Sequence, residues 1–197
     1  DKLDSNLNNI VMDGGKTFAD YEGYAGMSSP KVRHFFNNLC KQLGFEQDVR
    51  YLEVGTWAGS TLLSFIHKNQ SVIRHASAID NFSQFQDTEF DVRCGLEDGV
   101  KSIVTAPYNE DILIEGSPIT DDYELIFHKV DDNDNFKFQF LDCDCFELDK
   151  SRLFGKYNVY FYDGPHHAFG DKDNYGNTQD GYSYYDDCLD DVFVTII

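Results

Sequence analysis

The stretch Arg50-Tyr51-Leu52-Glu53-Val54-Gly55-Thr56-Trp57-Ala58-Gly59-Ser60-Thr61 decides how this chain is read. Tyr51–Val54 predicts a buried strand. Gly55 predicts a turn, and Gly59 the start of a helix. Such a unit brings backbone N–H groups and a helix N-terminus to one point, where a polar or anionic ligand can be held. The dinucleotide fingerprint G-x-G-x-x-G would need a second glycine at position 57, where Trp57 stands. What remains is E-x-G-x-x-x-G, running from Glu53 to Gly59.

Upstream, Ser29 can cap a helix with Pro30 at its first position. Val32, Phe35, Phe36, Leu39, Cys40 and Leu43 then recur at helical spacing, and Gly44 suits the C-terminus. Downstream, a helix over Gly59–Asn69 should turn Leu62, Leu63 and Ile66 inward, and His75–Ile79 reads as a strand ending at Asp80. Two strands joined in this way imply a right-handed parallel crossover. A further helix is expected over Asp87–Val104. Thr105–Asn135 reads as an insertion or hairpin, with strands around Ile112–Ile114 and Leu125–Phe127 and a solvated turn, not a calcium loop, at Asp131–Asp134. Phe136–Leu141 and Val159–Tyr162 are strands, Gly170–Thr178 a polar loop, Gln179–Leu189 a helix and Val192–Ile197 a last strand. The alternation predicts an α/β chain: a Rossmann-like three-layer sandwich with a mostly parallel central sheet. Tyr51–Val54 should be central, flanked by Ala76–Ile79 and Val159–Tyr162. Residues 1–197 read as a single domain, with 1–28 as an N-terminal arm or cap and 105–135 as the insertion.

The composition excludes several classes of function. A hydrophobic content of 41% with 15% aromatic residues predicts a globular core. Sixteen basic against 35 acidic residues give a net charge of −19, which repels phosphate backbones, so no nucleic-acid partner is expected. No apolar run reaches membrane-span length and no secretory signal is visible, so no membrane partner is expected either. The five cysteines fit no disulfide framework, which points to a reducing, cytoplasmic setting. Cys143-Asp144-Cys145 has no second Cys pair to complete a zinc site. The chain starts at Asp1, as a processed product or fragment would.

Ligands of an open parallel sheet sit at the carboxyl ends of its strands. Four predicted strand ends carry polar groups: Glu53 with Gly55, Asp80, Asp142 with Asp144, and Asp163. Any one of these acids could be a turn residue; four at successive strand ends favour a ligand site. Asp80 follows Gly55 by 25 residues, near the roughly 20-residue offset at which a carboxylate meets ribose hydroxyls. Glu53 suits a cationic ligand and would be badly placed beside a pyrophosphate. His166 and His167 can serve as general bases, or simply as hydrogen-bonding loop residues. Trp57 and the tyrosines of Tyr175–Tyr185 could wall an acceptor pocket, or belong to the core.

Together these segments resemble the class I S-adenosylmethionine-dependent methyltransferases over about Tyr51–Ile197. Glu53–Ser60 is similar to their first motif, Ala78–Phe82 to the ribose-binding strand end, and Phe140–Phe146 to the segment that meets the adenine. Tyr160–His166 resembles the "iDGdHsy" strand end of the methyltransferase 24 branch of small-molecule O-methyltransferases, except that Pro165 replaces an acidic residue. The resemblance implies cofactor contacts from Glu53, Gly55, Thr56, Trp57, Gly59, Ser60, Asp80, Asn81, Asp144 and Cys145. It implies catalytic roles for His166 and Asp163. Asp163 would also be the metal ligand, for Mg²⁺ in a form extended past Ile197, where a final antiparallel strand would lie as well. The implied activity is O-methylation of a small-molecule acceptor. The alternatives are a degenerate, non-catalytic binding protein of the same fold, or a nucleotide-sugar or NAD-dependent enzyme, the last weakened by the missing glycine fingerprint. The sequence leaves a homo-oligomer open.

Overall fold

The computed structural model describes residues 24, 26–45, 47–83, 113–117, 123–128, 136–164, 168–169 and 179–196. The readings at Asp87–Val104, Asp131–Asp134, His166–His167 and Gly170–Thr178 lie outside these residues.

Helix α1 (Pro30–Gly44) starts where the capping signals place it: the Ser29 hydroxyl accepts the Val32 N–H at 3.4 Å, with Pro30 at the first position. Its inner face differs from the expected apolar stripe. Phe36, Leu39, Cys40 and Leu43 are buried, but so are Arg33, Asn37 and Asn38, while Val32 is 40% exposed. The reason is the neighbouring helix α2 (Ser60–Ile66). Asn37 donates its amide to the carbonyls of Ser64 and His67, both at 2.7 Å, and Asn69 donates back to the Asn37 carbonyl at 3.0 Å. The Ser64 and His67 carbonyls end a helix and would otherwise be buried without partners. The α2 helix is shorter than the predicted Gly59–Asn69. Gly59 sits in the left-handed region as its N-cap, and Lys68, at φ 56°, has already left helical geometry.

The sheet holds β1 (Val49–Val54), β2 (Ile73–Asp80), β3 (Leu113–Ser117), β4 (Tyr123–His128), β5 (Lys137–Asp142), β6 (Tyr157–Tyr162) and β9 (Leu189–Ile196). Two short strands, β7 (Ala168–Phe169) and β8 (Gln179–Asp180), pair separately. The spatial order is β3-β4-β5-β2-β1-β6-β9. The five strands from β5 to β9 in this order are all parallel. Numbered by chain order among themselves they run 3-2-1-4-5, the Rossmann arrangement. The β3–β4 hairpin extends the β5 edge in antiparallel fashion. As expected, β1 is central, with Glu53 opposite Ala78 on one side and Phe161 on the other.

Strand alternation sends the core to two faces. Tyr51, Ala76, Ala78, Phe138, Phe140 and Val159 pack beneath α1 and α2, where the Tyr51 ring stacks on Phe65 at 4.0 Å. Leu52, Val54, Ile79, Leu141, Tyr160 and Tyr162 face the other way and meet Tyr185. Complete burial of such a side chain is worth about 1.5–3 kcal/mol. Around Tyr185 the sequence spacing predicts an α-helix over Gln179–Leu189. The segment is instead a 3₁₀ helix over Gly181–Cys188, ending directly in β9. Asp186 and Asp187 at its end oppose an α-helical dipole. Two lysines satisfy its carbonyls instead: Lys150 donates to that of Tyr184 and Lys156 to that of Asp187.

Candidate functional site

The chain runs outward from β1 to β2 and on to β5, then returns to the opposite side of β1 as β6. The carboxyl ends of β1 and β6 therefore border a topological switch point, where such sheets form crevices. A cleft of about 460 Å³ opens there.

Gly55 turns the chain out of β1 at φ 85°. Its N–H donates to the Ile79 carbonyl and the Asp163 N–H donates to that of Val54, both at 2.9 Å, so β2 and β6 are tied to the same turn. Thr56 comes next. It is only 4% exposed, and its Oγ1, on the cleft wall, has no hydrogen-bond partner among the described residues. Trp57 has φ 44°, a strained value for a residue with a side chain. Asp80 holds it there, accepting the Trp57 N–H on Oδ2 and the Phe82 N–H on Oδ1, both at 2.6 Å. Burial raises the Asp80 carboxyl above its ordinary range, against these hydrogen bonds. Each oxygen keeps acceptor capacity for a ligand hydroxyl.

On the far side of the cleft, Asp144 is exposed and closes an Asx-turn by accepting the Phe146 N–H at 2.8 Å. Cys145 is buried beside it, and burial pushes its thiol up to about 12. It is a packing residue at neutral pH and not a nucleophile.

The structure brings Gly55, Thr56, Trp57, Ser60, Asp80, Asn81, Asp144, Cys145 and Asp163 into this one cleft. Glu53 and Gly59 are placed differently. Gly59 stands behind the wall as the cap of α2. Glu53 is fully buried beneath the floor, where one oxygen accepts the Tyr51 hydroxyl and the other the Thr61 hydroxyl at 2.8 Å. Only Thr61 of this trio reaches the cleft. Burial raises the Glu53 carboxyl to about 8; the two hydroxyls act against this, and the nearby charges of Asp163 and Asp80 add to it. His166 lies outside the described residues.

No protein-family model matches the chain, and no curated protein sequence matches it. Among solved structures, the chain is similar to the crystal structure of SAH-bound Podospora anserina methyltransferase PaMTH1, at 14% identity and a TM-score of 0.46. The alignment covers 99% of this chain and 60% of that one, so the chain spans about three fifths of that protein's length.

Sequence reasoning missed part of the cleft wall. Met27, Ser28, Val32, Phe82 and Phe161 line it, although the spacing of Val32 marks it as core. The polar residues Arg33 and Asn37 were the available signal, since their place in α1 turns Val32 outward. Among the described residues, no group of three or more His, Cys, Asp or Glu is gathered to hold a metal; the resemblance implies partner ligands for Asp163 only past Ile197. No helix among the described residues is long and apolar enough to cross a membrane.

Proposed function

We propose that the chain binds S-adenosylmethionine and methylates a hydroxyl of a small molecule. One observation carries the reading. The cleft is lined by the carboxylates Asp80, Asp144 and Asp163, and no Lys or Arg is among its described lining residues. A pyrophosphate would meet like charge there, which disfavours NAD and nucleotide sugars. A ligand bearing a sulfonium and an ammonium group suits it. The Asp80 carboxylate would accept from the ribose, Asp144 and the Cys145 backbone would flank the adenine, and the unpartnered Thr56 hydroxyl would meet the amino-acid end. The cofactor supplies a methyl group on a positively charged sulfur. The protein's share is mostly orientation, holding donor and acceptor so that the encounter is effectively intramolecular. His166, in the segment after Asp163, would take the proton from the acceptor hydroxyl.

Calorimetric titration with S-adenosylmethionine, its demethylated product S-adenosylhomocysteine, and NADH tests this reading. Binding of the first two without NADH supports it; NADH alone would overturn it. His166→Ala should then lower turnover by about 10²-fold or more while leaving cofactor affinity intact. A second reading, a cofactor-binding protein without turnover, draws on Pro165 in place of the acidic residue of the resembled branch. It would be supported by tight cofactor binding with no methyl transfer to any hydroxyl acceptor.

A further inference from the structure

The α1 side of the cleft is built differently from the carboxylate side. Three large apolar side chains are exposed among the described residues, and two of them, Met27 at 72% and Val32 at 40%, stand on the wall of this cleft. Phe161, half-buried against Phe36 with ring centroids 4.8 Å apart, continues the same wall from β6. Exposed apolar surface is favourable only when something covers it, and clustering inside a concave site distinguishes these side chains from scattered surface ones.

The segment carrying Met27 is fastened. Arg33, buried on α1, donates to the carbonyls of Tyr24, Gly26 and Ser28 at 2.7, 2.9 and 3.0 Å. The Ser28 hydroxyl donates to the Ser60 hydroxyl at 2.7 Å. A β-carbon on Gly26 would stand 2.5 Å from the Ser60 β-carbon, so the strap lies directly on the first turn of α2. Met27 is thus a fixed part of the wall, though its own side chain is open to solvent.

We propose that the wall formed by Met27, Val32 and Phe161 is the acceptor subsite, that it takes a neutral molecule with an apolar body, and that Met27 supplies much of the contact with that body. The assignment rests on the methyl-transfer reading for the word acceptor. The chemistry selected does not depend on it, because the cleft offers apolar surface and carboxylates but no described cationic side chain to receive an acid.

Two probes of the same shape test it: 2-naphthol, neutral at pH 7, and 6-hydroxy-2-naphthoate, its carboxylated analogue. Each is titrated into the protein with and without S-adenosylhomocysteine. The neutral probe should bind at least about tenfold more tightly than the acid, which faces Asp80 and Asp163 without a counter-charge. Met27→Ala should weaken 2-naphthol about fivefold, consistent with losing contact with one or two buried methylene groups. Met27→Lys should bring the carboxylated probe to parity or better. Being mostly exposed, Met27 tolerates both changes without loss of the fold. Equal binding of the two probes, binding of neither, or indifference to both Met27 variants would overturn the proposal. Failure of S-adenosylhomocysteine alone to bind would instead overturn the methyl-transfer reading, and the probes would still decide the subsite.

Discussion

A β-carbon on Gly55 would stand 2.2 Å from the carbonyl oxygen of Asp163. Both partners are main chain at the ends of adjacent parallel strands, so neither can turn aside as a side chain could. Gly55 also has φ 85°, which costs a residue with a side chain about 1–3 kcal/mol by itself. Gly155, at φ 128°, provides the control, because a β-carbon there meets nothing within 4 Å. In urea denaturation, Gly55→Ala should therefore lose more stability than Gly155→Ala, by at least about 1 kcal/mol. Equal losses would mean that β1 and β6 separate easily at their carboxyl ends.

The Asp80 carboxylate shapes the cleft before any ligand arrives. It takes one N–H on each oxygen, and the Trp57 N–H belongs to the strained turn. Asp80→Asn keeps the size but replaces one acceptor with an NH₂ group, leaving a backbone donor unpaired. The cost should be about 1–3 kcal/mol of stability. Under the proposed function, affinity for S-adenosylhomocysteine should fall by about 1–3 kcal/mol as well. Calorimetry read beside denaturation separates the two effects. Unchanged affinity in a folded variant would remove Asp80 from the ribose contact.

Strand alternation and glycine placement made the centre of the fold legible in the sequence. The strand at Tyr51–Val54, its two neighbours and the turn at Gly55 stand out because burial on both faces of a parallel sheet writes long apolar runs. Most of the expected site residues share the cleft for a related reason: their positions are set by strand ends. The failures came where polar groups do structural work. Arg33 and Asn37 interrupt the apolar stripe of α1, so spacing alone misplaces Val32 in the core. Glu53 resembles a ligand-facing acid, because a sequence does not show that Tyr51 and Thr61 can occupy both its oxygens below the surface. The Gly181–Cys188 segment has helical spacing, yet its acidic end and abrupt entry into β9 give a 3₁₀ helix.

Arg33 provides a further test. Three backbone carbonyls accept from its guanidinium, whose planar fork presents separate donors in fixed directions. A lysine carries a single ammonium and cannot reach all three together. Arg33→Lys should therefore destabilise the protein by about 1–3 kcal/mol despite conserving the charge. A loss below about 0.5 kcal/mol would assign the strap's attachment to the Ser28–Ser60 contact instead.

The Glu53 carboxyl makes stability depend on pH in a direction opposite to that of ordinary salt-bridged acids. In the folded chain it is raised to about 8, chiefly by burial, against an ordinary value of 4.5. The groups facing it are the Tyr51 and Thr61 hydroxyls, which favour ionisation, and the charges of Asp163 and Asp80, which oppose it. Burial also holds the Tyr51 phenol well above its ordinary value, so it remains a hydrogen-bond donor throughout. A group with a raised folded value contributes its full stability below the unfolded value and loses it as pH climbs towards the folded one. The loss should thus accumulate from about pH 4.5 to about pH 8, and a gap of this size is worth on the order of 5 kcal/mol. Glu53→Gln removes the titration while keeping an oxygen acceptor for one hydroxyl, and its NH₂ can donate to the other. The variant should match the wild type near pH 5 and exceed it progressively towards pH 8 in urea denaturation. Parallel stability curves for the two proteins across this range would show that the Glu53 carboxyl is already ionised at low pH, and would place compensating positive charge or water beneath the cleft.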